Sequence, residues 1–312
     1  METDKEKMLF GILLDTVKKV SMGAYDKTDQ LMELTNQQRY PEVIAQLAEA
    51  FGMMIVRVES REFNLEQLLE ELEVKNQKLE ESLQRVRLLE SVQSHMRKFV
   101  PQSVEKLISA NPEDPDLDKH DRQISVLFLD IEGYTRLSEK NSQERMNFLV
   151  ETYFSKFLDI IVANNGDINE TAGDGLMILF HADNPEKNAY NAVNAALDIQ
   201  KKTCEINHSL KGDFDPVCVN MGVNSGTAAL GSTRLQGLAG DRLTYTASGP
   251  VTNIASRVCS AADSGKVLIT ENTAGLLKNR FLLSLPEHLR MKNISRPIQV
   301  MAVLEKQARF SD

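Results

Sequence analysis

Two hydrophobic periods divide this chain. Up to about residue 110 the apolar positions recur at helical spacing, and beyond residue 123 they gather into short strand-length runs separated by helical stripes. Residues 8–22 carry a short helical pattern closed by Gly23, followed by the polar connector AYDKTDQLMELTNQQRY, expected to be extended. Pro41 sets the first turn of a second helix with Ile44, Leu47, Ala48, Phe51, Met54 and Ile55 on one face. From Leu65 the spacing becomes a heptad. Leu65, Leu72, Leu79 and Val86 occupy d, and Leu69, Asn76 and Leu83 occupy a. A lone asparagine at a fixes register and favours a parallel dimer, in which Lys75 at g reaches Glu80 at e of the partner helix. The alternative is one amphipathic helix packed on its own chain. Past Val86 the next a position is Glu90, so the seam shifts to Leu89, Val92 and Met96, a stammer. Pro101 opens another short helix, PQSVEKLI, and NPEDPDLDKHDR (111–122) reads as a linker before a new domain at Gln123.

In the second half, ISVLFLD (124–130) has the length and branching of a core strand. Residues 142–165 form a helix with a continuous apolar stripe. GDINETAGDGLMILF (166–180) is a hairpin whose Gly173–Asp174 turn suits type II′. A helix over 186–210 and two strands within VCVNMGVNSGTAALGS complete the order βαββαβ, an α+β, ferredoxin-like plan. In that plan the first strand lies beside the hairpin, so Asp130 and Asp174, 44 residues apart, point into one small volume. Two carboxylates pressed together repel unless a cation lies between them, and oxygen-only ligands favour Mg²⁺ or Mn²⁺. The loop IEGYT, with Gly133, Tyr134 and Thr135, adds free backbone N–H groups suited to phosphate oxygens. Taken singly, Asp130 reads as a helix cap and Asp174 as a turn residue.

Composition narrows the function. With 312 residues, 42% hydrophobic and 26% charged, the chain is long enough for a real core. A net charge of −9 disfavours a nucleic-acid partner but leaves room for a local basic pocket. The three cysteines, Cys204, Cys218 and Cys259, have no metal spacing and read as buried thiols of a reducing compartment. No apolar run reaches the roughly 20 residues a bilayer requires. Asp15 and Lys18 interrupt MLFGILLDTVKKV, and acidic Glu2 and Asp4 stand where a signal peptide is basic, so a cytoplasmic protein is expected.

Four segments in order, FLDIEGYTRLSE, NETAGDGLMILF, GVNSGTAALG and SGPVTNIASRV, resemble the signature segments of class III nucleotidyl cyclases, over roughly residues 123–305. The resemblance implies metal ligands at Asp130, Asp174 and the backbone carbonyl of Ile131. It also implies a transition-state pair at Asn253 and Arg257, a phosphate-binding Lys292, and two Mg²⁺ or Mn²⁺ ions per site. The residues support this independently: Asn253 and Arg257, at i and i+4 after Gly249–Pro250, share a helix face, where a guanidinium and an amide stabilise phosphoryl charge. In the family Lys292 is followed by glycine; here Asn293 follows. Family sites are shared between subunits, so the resemblance implies a homodimer. The stretch QLAEAFGMM (46–54) resembles the second helix of a HAMP signalling module, for which a plain helical hairpin is the alternative. The plan is a HAMP-like module over 1–62, a coiled-coil signalling helix and transducer over 63–110, the linker 111–122, and a cyclase domain over 123–312. An upstream sensor or receptor protein would supply the input.

The base-selecting pair of the family matches Glu170 and Thr246. Glutamate at the first position resembles guanylate cyclases, since a carboxylate accepts from N1–H and N2–H₂ of guanine. Threonine at the second resembles many bacterial adenylate cyclases. The pair leans to GTP, with ATP otherwise. A catalytically inactive cyclase-like scaffold is the competing function. A diguanylate cyclase is disfavoured because the hairpin reads TAGDG.

Overall fold

The computed structural model describes residues 2–25, 29–212, 214–237, 240–292, 294 and 296–307. The chain divides into two compact units, Met1–Gln93 and Ser94–Asp312.

The first unit holds α1 (Glu2–Val20), α2 (Asp29–Glu33) and most of α3 (Glu42–Met96). Leu9 and Leu13 of α1 pack with Leu31, Leu34 and with Ile44, Ala48 and Ile55 of α3. The connector is therefore not simply extended: Leu31 and Leu34 fill the space beside α1 and α3, and a turn of helix forms to bring them there. Of the face expected on α3, Ile44, Ala48 and Ile55 bury, whereas Leu47 and Met54 stay exposed. Ala45 and Gly52 are buried instead, shifting the covered stripe along the helix. The heptad seam is open: Leu65, Leu69, Leu72, Leu79, Leu83 and Val86 are 48–62% exposed, and Asn76 is exposed with them. The helix passes the expected stammer without a break and ends in a 3₁₀ turn, Arg97–Phe99.

The second unit begins with α4 (Gln102–Ala110) and β1 (His120–Ile131). The strand starts three residues before the expected boundary, because His120, Asp121 and Arg122 pair with Leu230, Ala229 and Ala228. There follow α5 (Tyr134–Lys140), α6 (Gln143–Ala163), β2 (Asp167–Ala172), β3 (Gly175–Phe180), α7 (Pro185–Ser209), β4 (Val219–Gly237) and β5 (Gly240–Ser248). The chain continues through α8 (Pro250–Ala261), β6 (Val267–Thr270), α9 (Glu271–Leu276), β7 (Phe281–Leu283), β8 (Glu287–Leu289) and β9 (Ile298–Lys306). The sheet order β2-β3-β1-β4-β6-β9-β7 contains the ferredoxin-like arrangement in its first four strands, with β5 folded back on β4 and β8 paired to β9.

Side-chain alternation explains why residues 126–129 of β1 are apolar at every position: both faces are covered. Leu127, Leu129 and Ile131 enter the core beneath α6 and α7, with Tyr153, Phe157 and Ile161. Ile124, Val126 and Phe128 face the opposite layer, with Met177, Leu179, Ala247, Val251 and Ala255. The segment expected to make two strands is one, β4. Its glycines are close-packing positions rather than breaks: a Cβ at Gly222 would lie 2.2 Å from the backbone nitrogen of Cys259 in α8. Of the cysteines only Cys259 is buried. Cys204 and Cys218 are exposed, on the outer side of α7 and just before β4, so the expectation of three buried thiols fails. No helix among the described residues is long and apolar enough to cross a membrane.

Candidate active site

The site begins where β1 runs out of apolar cover. Asp130 continues the even-numbered face of the strand, after Ile124, Val126 and Phe128, and lies opposite Gly175 in the pairing with β3. The hairpin tip beside it is the tight turn its sequence demands: Gly173 takes φ +60°, Asp174 keeps a negative φ, and Ala172 pairs with Gly175, as type II′ requires. The Asp174 carbonyl accepts the N–H of Ile131 at 3.2 Å, which fastens the tip to the end of β1. The two carboxyl groups consequently lie within hydrogen-bonding reach. Burial against the hairpin and then the Asp174 carboxylate push Asp130 up to about 6, although the residue still reaches solvent.

Every influence on Asp130 raises its pKa, and no lysine or arginine among them offsets the repulsion. Such a pair is poised for a divalent cation with hard oxygen ligands, so Mg²⁺ or Mn²⁺ fits the donor set. Among the described residues no third histidine, cysteine or carboxylate joins them. The Ile131 side chain is committed to the core, leaving only its backbone carbonyl as a donor. Glu132 is spoken for: its Oε2 accepts the Ser264 N–H at 2.8 Å, while its own N–H binds the Cys218 carbonyl. Next along, Gly133 adopts φ 68°, ψ 21° and turns the chain into α5, leaving the first-turn N–H groups of Tyr134 and Thr135 without intrahelical acceptors.

Beside Asp130 a cavity of about 230 Å³ is lined by Glu170 from β2 and by Ser256, Cys259 and Ser260 from α8. Glu170 follows a bulge: Ile168 pairs with Ile178, but Glu170 pairs with Met177, leaving Asn169 as the extra residue. Asn169 links this strand to β5. Its Nδ2 donates to the Tyr245 carbonyl at 3.0 Å, and its Oδ1 accepts the Thr246 hydroxyl at 2.7 Å. The expected base-reading residues, Glu170 and Thr246, are thus joined through a residue the sequence reading did not single out. Only its adjacency to Glu170 in the sequence pointed to it.

Asn253 and Arg257 share the exposed face of α8, whose other face carries Val251, Ala255, Val258 and Cys259 into the core. Arg257 makes no ion pair with another described residue, and neither side chain joins the Asp130–Asp174 pair within the chain. Lys292 is exposed in the turn between β8 and β9, and Asn293 lies outside the described residues. The sequence-predicted residues therefore form two groups: Asp130, Ile131, Asp174 and the 133–135 turn at one edge, and Asn253, Arg257 and Lys292 on open surfaces. Asp167, at the start of β2, was also missed. Its carboxylate accepts the N–H groups of Gln102 at 2.8 Å and Ser103 at 3.1 Å, capping α4. Burial raises this carboxyl, but hydrogen bonds from His181, Ser103 and the Gln102 N–H outweigh it and hold it below the usual range.

The sequence profile of the adenylate and guanylate cyclase catalytic domain matches residues 118–305. The terminal-differentiation specific adenylate cyclase of Dictyostelium discoideum is 29% identical over 233 residues, 72% of this chain and 10% of that protein. Adenylate cyclase 1 of Rhizobium meliloti is 29% identical over 139 residues, 44% of this chain and 20% of that protein. The chain thus spans a tenth to a fifth of the length of these curated relatives. Among solved structures, the adenylyl cyclase CyaB from P. aeruginosa superposes with a TM-score of 0.56 at 27% identity, covering 62% of this chain and all of that one. A bacterial light-regulated adenylyl cyclase, at 22% identity and a TM-score of 0.60, covers 72% of this chain and 65% of its own and shares the fold. With most of the second unit matched and the paired aspartates at the end of β1 and the tip of its neighbouring hairpin, the chain belongs to the family of adenylate and guanylate cyclase catalytic domains.

Proposed function

We propose that this chain converts a purine nucleoside triphosphate to its 3′,5′-cyclic monophosphate and pyrophosphate, as a homodimer in intracellular signal transduction. The observation that carries the reading is the juxtaposition of Asp130 and Asp174, two carboxylates held together at the expense of their own repulsion. Asp130, Asp174 and the Ile131 carbonyl would hold two Mg²⁺ or Mn²⁺ ions, whose chemistry when bound is to acidify the ribose 3′-hydroxyl and neutralise the phosphates. The N–H groups of Gly133, Tyr134 and Thr135 face phosphate oxygens. Arg257 and Lys292 take up charge as the 3′-oxygen bonds to the α-phosphorus and the bridging oxygen departs with pyrophosphate, while Asn253 orients the ribose. Glu170 and Thr246 contact the base.

The homodimer is supported by two separate features. Asn253 and Arg257 are exposed on α8, and neither is paired with the carboxylates of its own chain, which leaves both open to a partner's. The Leu65–Val86 seam, with Asn76 at its centre, is an exposed apolar stripe of coiled-coil period. The first unit then reads as a HAMP-like relay receiving a signal from an upstream sensor or receptor protein, in the cytoplasm. Purified protein with Mn²⁺ and each of four triphosphates tests the reaction. A cyclic product and pyrophosphate are expected from a purine nucleotide. Silence with all four, at concentrations where the protein is dimeric, would instead indicate an inactive nucleotide-sensing scaffold.

A further inference from the structure

Resting on the reading of Glu170 and Thr246 as base-contacting residues, we propose that Asn169 is a positioning residue that locks the Thr246 hydroxyl as a hydrogen-bond acceptor. The site therefore selects a base carrying an amino group at its 6-position, ATP over GTP.

The orientation of Asn169 is set by a group that has no choice. The backbone carbonyl of Tyr245 can only accept, so the atom of Asn169 lying 3.0 Å from it must be the amide nitrogen. Reversing the amide would bring two oxygens face to face. Oδ1 is thereby turned to Thr246, whose hydroxyl donates to it at 2.7 Å. The remaining polar neighbour of that hydroxyl, the Ala247 carbonyl at 3.4 Å, is also an acceptor. A threonine hydroxyl has one proton and two lone pairs. The proton is spent on Asn169, and what Thr246 offers a ligand is lone pairs.

The bulge makes the arrangement possible. In a regular strand, consecutive side chains point to opposite faces. Here Ile168 faces the core beneath α6 and α7, while Glu170, paired with Met177, faces the layer containing Tyr245. Asn169, the extra residue, reaches across to β5, to the Tyr245 carbonyl and the Thr246 hydroxyl. Glu170 and Thr246 then present two acceptors to one base. The exocyclic amine of adenine supplies two N–H donors at its 6-position. Guanine satisfies Glu170 through N1–H and N2–H₂, but its O6 meets a hydroxyl with no proton to give. The glutamate taken alone leans to guanine; the locked threonine reverses that preference.

The test is steady-state kinetics of the intact protein with Mn²⁺ and ATP, GTP or ITP. ITP keeps the 6-oxygen and N1–H of guanine but lacks its 2-amino group, so it takes the 2-position out of the comparison. ATP is expected to exceed both others in kcat/KM by about tenfold or more. In Asn169→Leu the freed hydroxyl can donate, so this preference should shrink by about tenfold, mainly through KM. Adding Thr246→Asp to that variant, an acceptor without a proton, should restore it. Preference of the intact protein for GTP or ITP would overturn the inference while leaving the cyclase reading standing. So would an equal loss for all three nucleotides in Asn169→Leu, the mark of a merely structural role. Absence of product from every nucleotide would remove the cyclase reading, and equilibrium binding of ATP and GTP with Mn²⁺ would then decide. A binding preference for ATP that Asn169→Leu abolishes supports the lock, and any other pattern rejects it.

Discussion

Replacing Asp130 with asparagine should make the metal-free protein more stable. The carboxyl is displaced from 3.8 to about 6 by burial and by Asp174, a preference for the protonated form of about 3 kcal/mol. Because Asp130 also reaches solvent, screening reduces the effect on folding to about 1–1.5 kcal/mol. A raised carboxyl contributes stability that is complete below the unfolded value of 3.8 and is lost as pH rises through about 6. Asparagine mimics the protonated state and keeps that stability at every pH. Thermal unfolding in EDTA at about pH 8 should therefore show Asp130→Asn melting about 2–5 °C above the unmodified protein. About half of that gain should remain near pH 5, and less below. Mn²⁺ with nucleotide should raise the melting temperature of the unmodified protein only, since the variant lacks one ligand. A loss of stability at pH 8, or a gain that does not shrink with acid, would show that the carboxylate serves the fold and would refute the argument.

Other perturbations follow from the same geometry. Gly222→Ala puts a Cβ 2.2 Å from the Cys259 nitrogen; displacing α8 should cost about 1–3 kcal/mol in urea denaturation and abolish cyclisation by moving Asn253 and Arg257. An unchanged midpoint would contradict that packing. Asp167→Ala strands the Gln102 and Ser103 N–H groups and should cost about 2 kcal/mol at neutral pH. Since this carboxyl is held low, the difference should persist above the usual 3.8 and fade as pH drops below it; an effect that grows with acid would disprove the cap. Asn76→Ile should stabilise the helix association but relax its register, visible as larger species in sedimentation; a protein that stays monomeric would count against the seam.

What the sequence made legible, and what it hid, has a physical pattern. Residues 126–129 are apolar on both faces and read as an inner strand, so the position of Asp130 directly after them was readable. Gly173 before Asp174 specified a tight turn, which set the apposition of the two carboxylates. Packing that depends on distant partners was not readable. The segment that forms β4 read as two strands, and nothing local shows that α8 rests on Gly222. Cys204 and Cys218 looked like core thiols because a small apolar residue carries no sign of which face of a helix, or which side of a strand's approach, it occupies. Asn169 was overlooked for a related reason: its meaning comes from a bulge and from β5, 76 residues later.

The central claim is that the carboxylates of one chain and the Asn253–Arg257 face of another complete a single site. Mixing Asp130→Ala chains with Arg257→Ala chains tests it most directly, because each homodimer lacks one essential group at both sites while a mixed dimer retains one whole site. The account predicts recovery of about a quarter of the unmodified activity from two inactive preparations. A mixture as silent as its components, with exchange of subunits verified, would contradict it.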